Sequence, residues 1–163
     1  MSRSPPIEPV AKSVRVDAPI AHAFQVFTSG LNRWWPANHG IGKKPIEKVL
    51  LEPRLGGRWL EISADGTETS VATIIHWEPP HRLVMVWQVN AQWKPDVTMK
   101  SEVDVRFTAE GANTTHVELV HHKFETMGAQ AGASLRQDVN GGWPGLIERF
   151  AREAERSGSA PAH

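Results

Sequence analysis

The feature that most constrains this chain is a run of alternating segments followed by one long amphipathic stretch. Between residues 46 and 122, apolar and polar side chains alternate along a series of short segments that are separated by turns. From about Ala131 the period becomes helical. The helical stripe consists of Leu135, Val139, Trp143, Ile147, Phe150 and Ala154. An antiparallel sheet has one apolar face to cover, so the pattern predicts an α+β domain in which a curved sheet wraps around one late helix.

The alternation and the turn residues set the expected bounds of the other elements. Strands are predicted over Val10–Val16, Ile46–Leu51, Arg58–Ser63, Glu68–Trp77, Arg82–Asn90, Val97–Phe107 and Thr114–His122. Two short helices are predicted after the first strand, over Pro19–Thr28 and Leu31–Trp35, the first with Asp17 as its N-cap. In the last helix, Pro144 and the preceding glycines are poor interior residues, so a kink or a restart at Trp143 is expected.

Length, charge and cysteine content limit the possible functions. The 163 residues fit one domain, expected over residues 10–156, with residues 1–9 and 157–163 as disordered ends. Eighteen basic residues balance eighteen acidic ones, so no global field favours nucleic acid or an anionic membrane. Cysteine is absent, which excludes disulfides and thiol chemistry. No stretch suits membrane insertion and no signal peptide is recognised, so a cytoplasmic location is expected. The sequence leaves open whether the protein is a monomer or a homodimer.

Several short motifs run in order through the domain. They are Ala18-Pro19, Trp34-Trp35-Pro36, Glu52-Pro-Arg-Leu-Gly-Gly-Arg-Trp59, Trp77-Glu-Pro-Pro-His-Arg-Leu-Val84, Trp87, Thr114-Thr115, His121 and Gly142-Trp143. Together they resemble the START/SRPBCC superfamily, in its branch similar to the activator of heat-shock-protein ATPase. The resemblance implies a helix-grip fold of about six to seven strands with an apolar cavity under the last helix. Relatives often carry Gly-Arg-Val where this chain has Ala72-Thr73-Ile74, so an arginine contact to an anionic ligand is not expected here.

The inward strand faces and the helical stripe supply the candidate cavity lining. The candidates are Trp35, Trp59, Glu61, Trp77, Met85, Trp87, Met99, Val103, Leu119, His121, Phe124, Trp143 and Ile147. Trp35 and Phe124 are expected at the mouth. The alternative is that these side chains simply fill a close-packed core.

Two polar candidates stand out within that set. Strand parity places Glu61 on the face of Trp59, and a carboxyl inside an apolar pocket is a candidate acid or base. The alternative is a solvated carboxylate or a cross-strand pair with an arginine. His121 lies on the opposite strand face from His116 and His122, so these histidines cannot chelate one metal ion. An inward His121 is expected to bond a backbone carbonyl or the last helix.

Three functions remain open at this point. The first is binding of a hydrophobic or amphipathic small molecule, without a cofactor or a metal. The second is an enzyme of the cyclase or hydrolase kind in the same pocket, with Glu61 and His121 as the first residues to test. The third is a co-chaperone-like interaction module, which ranks last because such activators carry a further domain.

Overall fold

A computed structural model describes residues 7–35, 46–92, 94–96 and 98–158 of the chain. The predicted loop over residues 37–45 lies outside these residues. So do Trp93, Val97, residues 1–6 of the expected lead-in and residues 159–163 of the expected tail.

Seven strands and three helices form the described structure. The strands are β1 Val10–Val16, β2 Ile46–Leu51, β3 Arg58–Ser63, β4 Glu68–Glu78, β5 Arg82–Trp87, β6 Ser101–Gly111 and β7 Thr114–His122. The helices are α1 Ile20–Phe27, α2 Leu31–Trp34 and α3 Ala129–Gly158, with a 3-10 turn over Phe124–Met127 before α3.

The seven strands make one curled antiparallel sheet against which α3 packs, so the predicted fold class is confirmed. Their order is β1-β7-β6-β5-β4-β3-β2, which leaves β1 and β2 at the two edges. Strands β2 to β7 follow one another as neighbours, whereas β1 joins the far side next to β7. The helices α1 and α2 occupy the crossing between the two edges. The core therefore lies between the concave sheet face and α3.

Strand bounds agree with the prediction to within one residue, except around the β5–β6 connection and at the end of β6, which continues to Gly111 instead of the predicted Phe107. The fifth strand ends at Trp87, because the chain then turns and closes an isolated bridge between Val89 and Pro95. Strand β6 begins at Ser101, four residues later than predicted. The carboxylate of Asp96 accepts the backbone N–H and the hydroxyl of Thr98, which makes a turn there instead of extended strand.

The last helix is continuous from Ala129 to Gly158 and contains Pro144 in its interior, so it does not restart at Trp143. The predicted apolar stripe is confirmed, because all six of its residues are buried. The expected N-cap of α1 is wrong. That helix is capped by Pro19 without a side-chain bond, and the backbone N–H of Asp17 instead donates to the Glu155 carboxylate.

Both ends of the described chain attach to the domain more closely than expected. Ile7 packs against the core, and the guanidinium of Arg136 donates to the carbonyl of Glu8 at 2.7 Å. At the other end Ser157 still belongs to α3, and its hydroxyl lies 2.9 Å from the ring of His22. No helix within the described ranges is both long and apolar enough to cross a membrane.

Candidate ligand site

The candidate site is built on one cross-strand row of the concave sheet face. Register places these residues side by side on five neighbouring strands: Leu51, Trp59, Ala72, Trp87 and Ser101. All are buried, and Ala72 is the smallest. Its methyl group leaves room between its neighbours, and the rings of Trp59 and Trp87 fill that room with centroids 5.2 Å apart and planes at 89°. The row therefore brings two indoles into direct contact across an intervening strand.

Two more indoles complete a tryptophan cluster, defined here as Trp35, Trp59, Trp87 and Trp143. Trp35, at the end of α2, meets Trp59 edge to face at 4.6 Å between centroids. Trp143, on α3, lies 5.8 Å from Trp87 and 6.2 Å from Trp35. The end of α2, β3, β5 and α3 thus contribute one ring each. Edge-to-face contacts of this kind add stability beyond area burial.

A hydrogen-bonded chain fixes the imidazole of His121 beside the cluster. The indole N–H of Trp143 donates to Nδ1 of His121 at 3.2 Å. An indole nitrogen only donates, so Nδ1 carries no proton and the proton of the neutral ring is on Nε2. Nε2 then donates to the hydroxyl oxygen of Ser101 at 3.1 Å. This chain joins α3 to β7 and β6.

The environment of His121 keeps the ring neutral. Its side chain is fully buried, and the ring stacks against Phe124 with centroids 4.7 Å apart. Burial, with a smaller contribution from the nearby charge of His122, lowers the pKa of His121 from 6.5 to about 3. A protonated ring would also lose the bond from Trp143. His121 is consequently a fixed hydrogen-bonding group rather than a proton carrier near neutral pH.

Two of the indole N–H groups have no acceptor within the described part of the chain. Nε1 of Trp59 and Nε1 of Trp87 are both buried from solvent and unbonded. A buried donor without a partner costs about 1–3 kcal/mol. These two groups therefore gain free energy from an added acceptor.

Glu61 follows Trp59 on the same face of β3 and is only 3% exposed. The side chain is therefore not the solvated carboxylate of the alternative interpretation. The side chain has an interaction partner, so it is not an isolated buried carboxyl group.

The remaining predicted residues separate into two groups. Met85, Val103, Leu119 and Ile147 are buried on the sheet face and helix stripe that enclose the core. Trp77 lies apart from the tryptophan cluster and packs against Phe24, at 5.2 Å between centroids. Met99 is half-buried and precedes β6 instead of lying within it.

Ser101 is the site residue that sequence reasoning missed. Its parity with Val103 already placed it on the apolar inward face, and a hydroxyl on such a face requires a partner. The need for a partner was therefore the sign in the sequence that Ser101 belongs to the site. Its two neighbours in the site, Trp87 and His121, come from strands on either side of β6.

A surface groove of about 510 Å³ lies next to this end of the core. It runs between Gln92 and the first turn of α3, and Met127 and Ser134 form part of its walls. The same 3-10 turn carries Phe124, which packs on His121. The 3-10 turn therefore connects the groove to the hydrogen-bonded residues Trp143, His121 and Ser101.

No cluster of metal-ligating side chains occurs among the residues that the structure describes. His116 and His122 are half-buried on the outer sheet face, whereas His121 is fully buried on the inner one. Strand parity thus separates the three histidines as predicted.

Comparisons with known proteins agree with this architecture. The family described as Activator of Hsp90 ATPase homolog 1-like protein matches residues 17–155, which confirms the resemblance predicted from the motifs. No curated protein sequence matches the chain.

Solved structures similar to this chain fall at two levels of identity. The anthrahydroquino-γ-pyrone synthase Txn09, complexed with SUM, is 38% identical over 90% of this chain and 97% of its own, with a TM-score of 0.64. The self-sacrificing resistance protein CalC from Micromonospora echinospora is 31% identical over 94% and 97%, with a TM-score of 0.71. The Aha1 dimer from Colwellia psychrerythraea is 14% identical over 91% and 97%, with a TM-score of 0.63, and shows the fold alone.

Proposed function

The chain belongs to the Activator of Hsp90 ATPase homolog 1-like family, and on that basis we propose that it binds a hydrophobic or amphipathic small molecule between the sheet and α3. The observation that carries the proposal is the tryptophan cluster with its unbonded N–H groups on Trp59 and Trp87. Ligand pockets combine apolar and aromatic walls with a few placed polar groups, and this end of the core has that composition.

Two further observations support the proposal. The relative with 38% identity is a synthase in complex with SUM, and the one with 31% identity is a resistance protein. The groove beside Gln92 and Met127 adjoins the 3-10 turn that carries Phe124, at the same end of the core. In the proposal, Trp35 and Phe124 border the bound molecule on opposite sides, as the predicted mouth residues.

Native mass spectrometry of freshly purified protein tests the proposal directly. We expect an adduct of a small molecule that disappears when the same sample is denatured. A thermal-shift panel of hydrophobic compounds is the second arm, because a ligand at a hundred times its Kd stabilises the native state by about 2.7 kcal/mol. A clean apo mass together with no shift from any compound would contradict the proposal.

A second candidate function is chemical conversion of the bound molecule, favoured by the 38% identity to a synthase. His121 is held neutral and bonded on both nitrogens, so the buried Glu61 is the better candidate for acid or base work. The test follows turnover of the compound identified by mass spectrometry, with wild type and Glu61→Gln. Conversion lost in the variant with binding retained supports chemistry, whereas no conversion by wild type rules it out. The 14% likeness to Aha1 gives no support to the co-chaperone function.

A further inference from the structure

We propose that the ligand is a planar aromatic compound whose carbonyl oxygen accepts hydrogen bonds from the row of donors that Trp59, Trp87 and Ser101 form. This inference rests on the proposed function and specifies the chemistry of the same ligand. It follows from the direction of each hydrogen bond at the site.

The first step concerns the proton of Ser101. Because Trp143 donates to Nδ1 of His121, the Nε2 atom must be the donor to Ser101. The Ser101 oxygen is therefore an acceptor in that bond, and its own hydroxyl proton remains available. Within the described residues Ser101 makes no other side-chain hydrogen bond. The series of hydrogen bonds that begins at Trp143 therefore ends at the hydroxyl group of Ser101, which can still donate.

The second step concerns the position of the three donors. Ser101 pairs directly with Trp87 on the neighbouring strand, and Trp87 is separated from Trp59 only by Ala72 on β4. Neighbouring strands are about 4.8 Å apart, so the side chains follow one another along a short row on the same inward face. The row presents donors, and a bound molecule with an acceptor oxygen satisfies groups that the protein leaves unbonded.

An N–H directed at a neighbouring ring is the competing arrangement within the apo protein. Trp59 and Trp87 meet at 89°, a geometry in which an edge faces a ring. Such N–H···π contacts are second-order, and a buried N–H···O bond is stronger. An oxygen acceptor consequently still gains free energy at these positions, whereas a pure hydrocarbon does not.

The flat rings of the cluster complete the specification. Indole faces favour stacked or edge-to-face contact with another aromatic ring. A planar aromatic ketone or quinone offers both the ring faces and the acceptor. A protonated amine only donates hydrogen bonds, so it would not satisfy the N–H groups of the site. The site therefore selects a carbonyl-bearing aromatic compound over its hydrocarbon analogue.

Fluorenone and fluorene test this selection, because the two tricyclic probes differ by a carbonyl group in place of a methylene. Fluorene is the more hydrophobic, so burial alone favours it. We expect wild type to bind fluorenone more tightly, on the order of tenfold, as measured by calorimetry. The corresponding thermal shifts in the full chain provide an independent readout.

Two variants assign the preference to the donors. Trp87→Phe removes one N–H and keeps an aromatic ring, and we expect most of the preference for fluorenone to disappear. Trp59→Phe is the second such variant, in case the first fails to fold. Trp77→Phe is the matched control, because that ring packs against Phe24 away from the row, and it should keep the wild-type preference.

The outcomes separate the inference from the function on which it rests. If wild type binds fluorene as tightly as fluorenone, or if Trp87→Phe and Trp59→Phe keep the preference, the carbonyl inference is overturned and small-molecule binding stands. If neither probe binds and the hydrophobic panel also fails, both proposals fall. A fluorenone preference that is lost in the donor variants and kept in Trp77→Phe supports the inference.

Discussion

At the scale of single residues, His121 holds three elements together through two hydrogen bonds. Its ring joins β7 to Ser101 on β6 and to Trp143 on α3. Both bonds depend on the neutral tautomer with its proton on Nε2. The contribution of this residue to stability is therefore tied to its protonation state.

We expect the stability of the protein to fall in acid through His121. The unfolded chain takes up a proton near pH 6.5, whereas the folded protein resists protonation until about pH 3. The unfolded state thus binds more protons below pH 6.5, and the free energy of unfolding decreases by up to about 1.4 kcal/mol per pH unit. The contribution is fully present above pH 6.5 and is lost as the pH falls towards about 3.

Urea unfolding between about pH 6.5 and 5 measures this slope. We expect His121→Gln to be less stable than wild type at neutral pH and to lack this part of the slope. His116→Gln is the control, because it lies on the outer face of the same strand and leaves His121 in place. An unchanged slope in His121→Gln would show that other groups cause the acid sensitivity.

Asp104 gives a second prediction at this scale. Burial raises the pKa of its carboxyl group, but the hydrogen bonds and charges of Arg82 and Arg106 outweigh that effect and hold the pKa below its ordinary value. Arg82 binds both carboxylate oxygens, at 3.1 and 2.8 Å, whereas Arg106 approaches one of them at 3.5 Å. Arg82→Met should therefore cost about 1–3 kcal/mol of unfolding free energy.

Arg106→Met is the matched control on the neighbouring strand. Its side chain is 57% exposed, so we expect a loss below about 1 kcal/mol. Chemical denaturation at neutral pH compares the two variants, and equal losses would contradict the assignment of Arg82 as the main partner.

At the residue scale, sequence parity predicted the inward faces but not the contacts between them. It placed Trp59, Glu61 and His121 inside, and all three are buried. It also placed Trp77 with the others, yet that ring lies against Phe24 of α1, which in turn contacts Phe107. Parity carries no information on position along a strand, and which rings meet depends on sheet register.

At the scale of secondary-structure elements, α3 contains glycines whose roles differ. A Cβ atom at Gly141 would meet nothing within 4 Å, whereas one at Gly132 would lie 2.2 Å from the carbonyl oxygen of Phe124. Gly132→Ala should therefore destabilise the protein. Gly141→Ala should raise the unfolding free energy by about 0.5–1 kcal/mol, because alanine loses less entropy in a helix.

Thermal or urea denaturation checks this prediction, because the two variants should change the unfolding free energy in opposite directions. Gly145→Ala is a further control for open space, because a Cβ atom there also meets no neighbour. A gain of stability in Gly132→Ala would contradict the close approach of α3 to the 3-10 turn.

The bounds of most elements followed from the sequence because turns there are marked by glycine, proline or aspartate. Alternation over Val97–Phe107 gave the wrong start for β6, since a local Asp96–Thr98 turn competes with extended chain. Four register shifts are likewise invisible in the sequence, on the pairs β2–β3, β3–β4, β4–β5 and β6–β7. The position of an extra residue in one strand depends on how that strand pairs with its neighbour. The apolar pattern of a single strand contains no information on that pairing.

At the scale of the whole molecule, the sheet has two unequal halves. The pairing of β6 with β7 is long and centred on buried residues such as Val103 and Leu119, with a register shift only near its end. The β2–β3–β4 half contains bulges and ends in the short edge strand β2. Local opening should therefore cost less free energy in the second half.

Hydrogen exchange followed by mass spectrometry measures that difference. We expect the slowest amides in β6 and β7 and faster exchange across β2 and β3. Addition of a bound aromatic ligand should slow exchange around Trp59 and Trp87 more than around Trp77. Uniform protection of the two halves in the apo protein would contradict the predicted asymmetry.

The four indoles of the tryptophan cluster also give the protein an optical property. The centroids of neighbouring rings are only 4.6 to 6.2 Å apart, so the electronic transitions of the indoles are coupled. Their fixed mutual angles make such coupled transitions chiral, and near-ultraviolet circular dichroism then reports the arrangement of the set. A molecule that inserts among the rings changes that spectrum without any label, so this end of the core contains its own spectroscopic reporter.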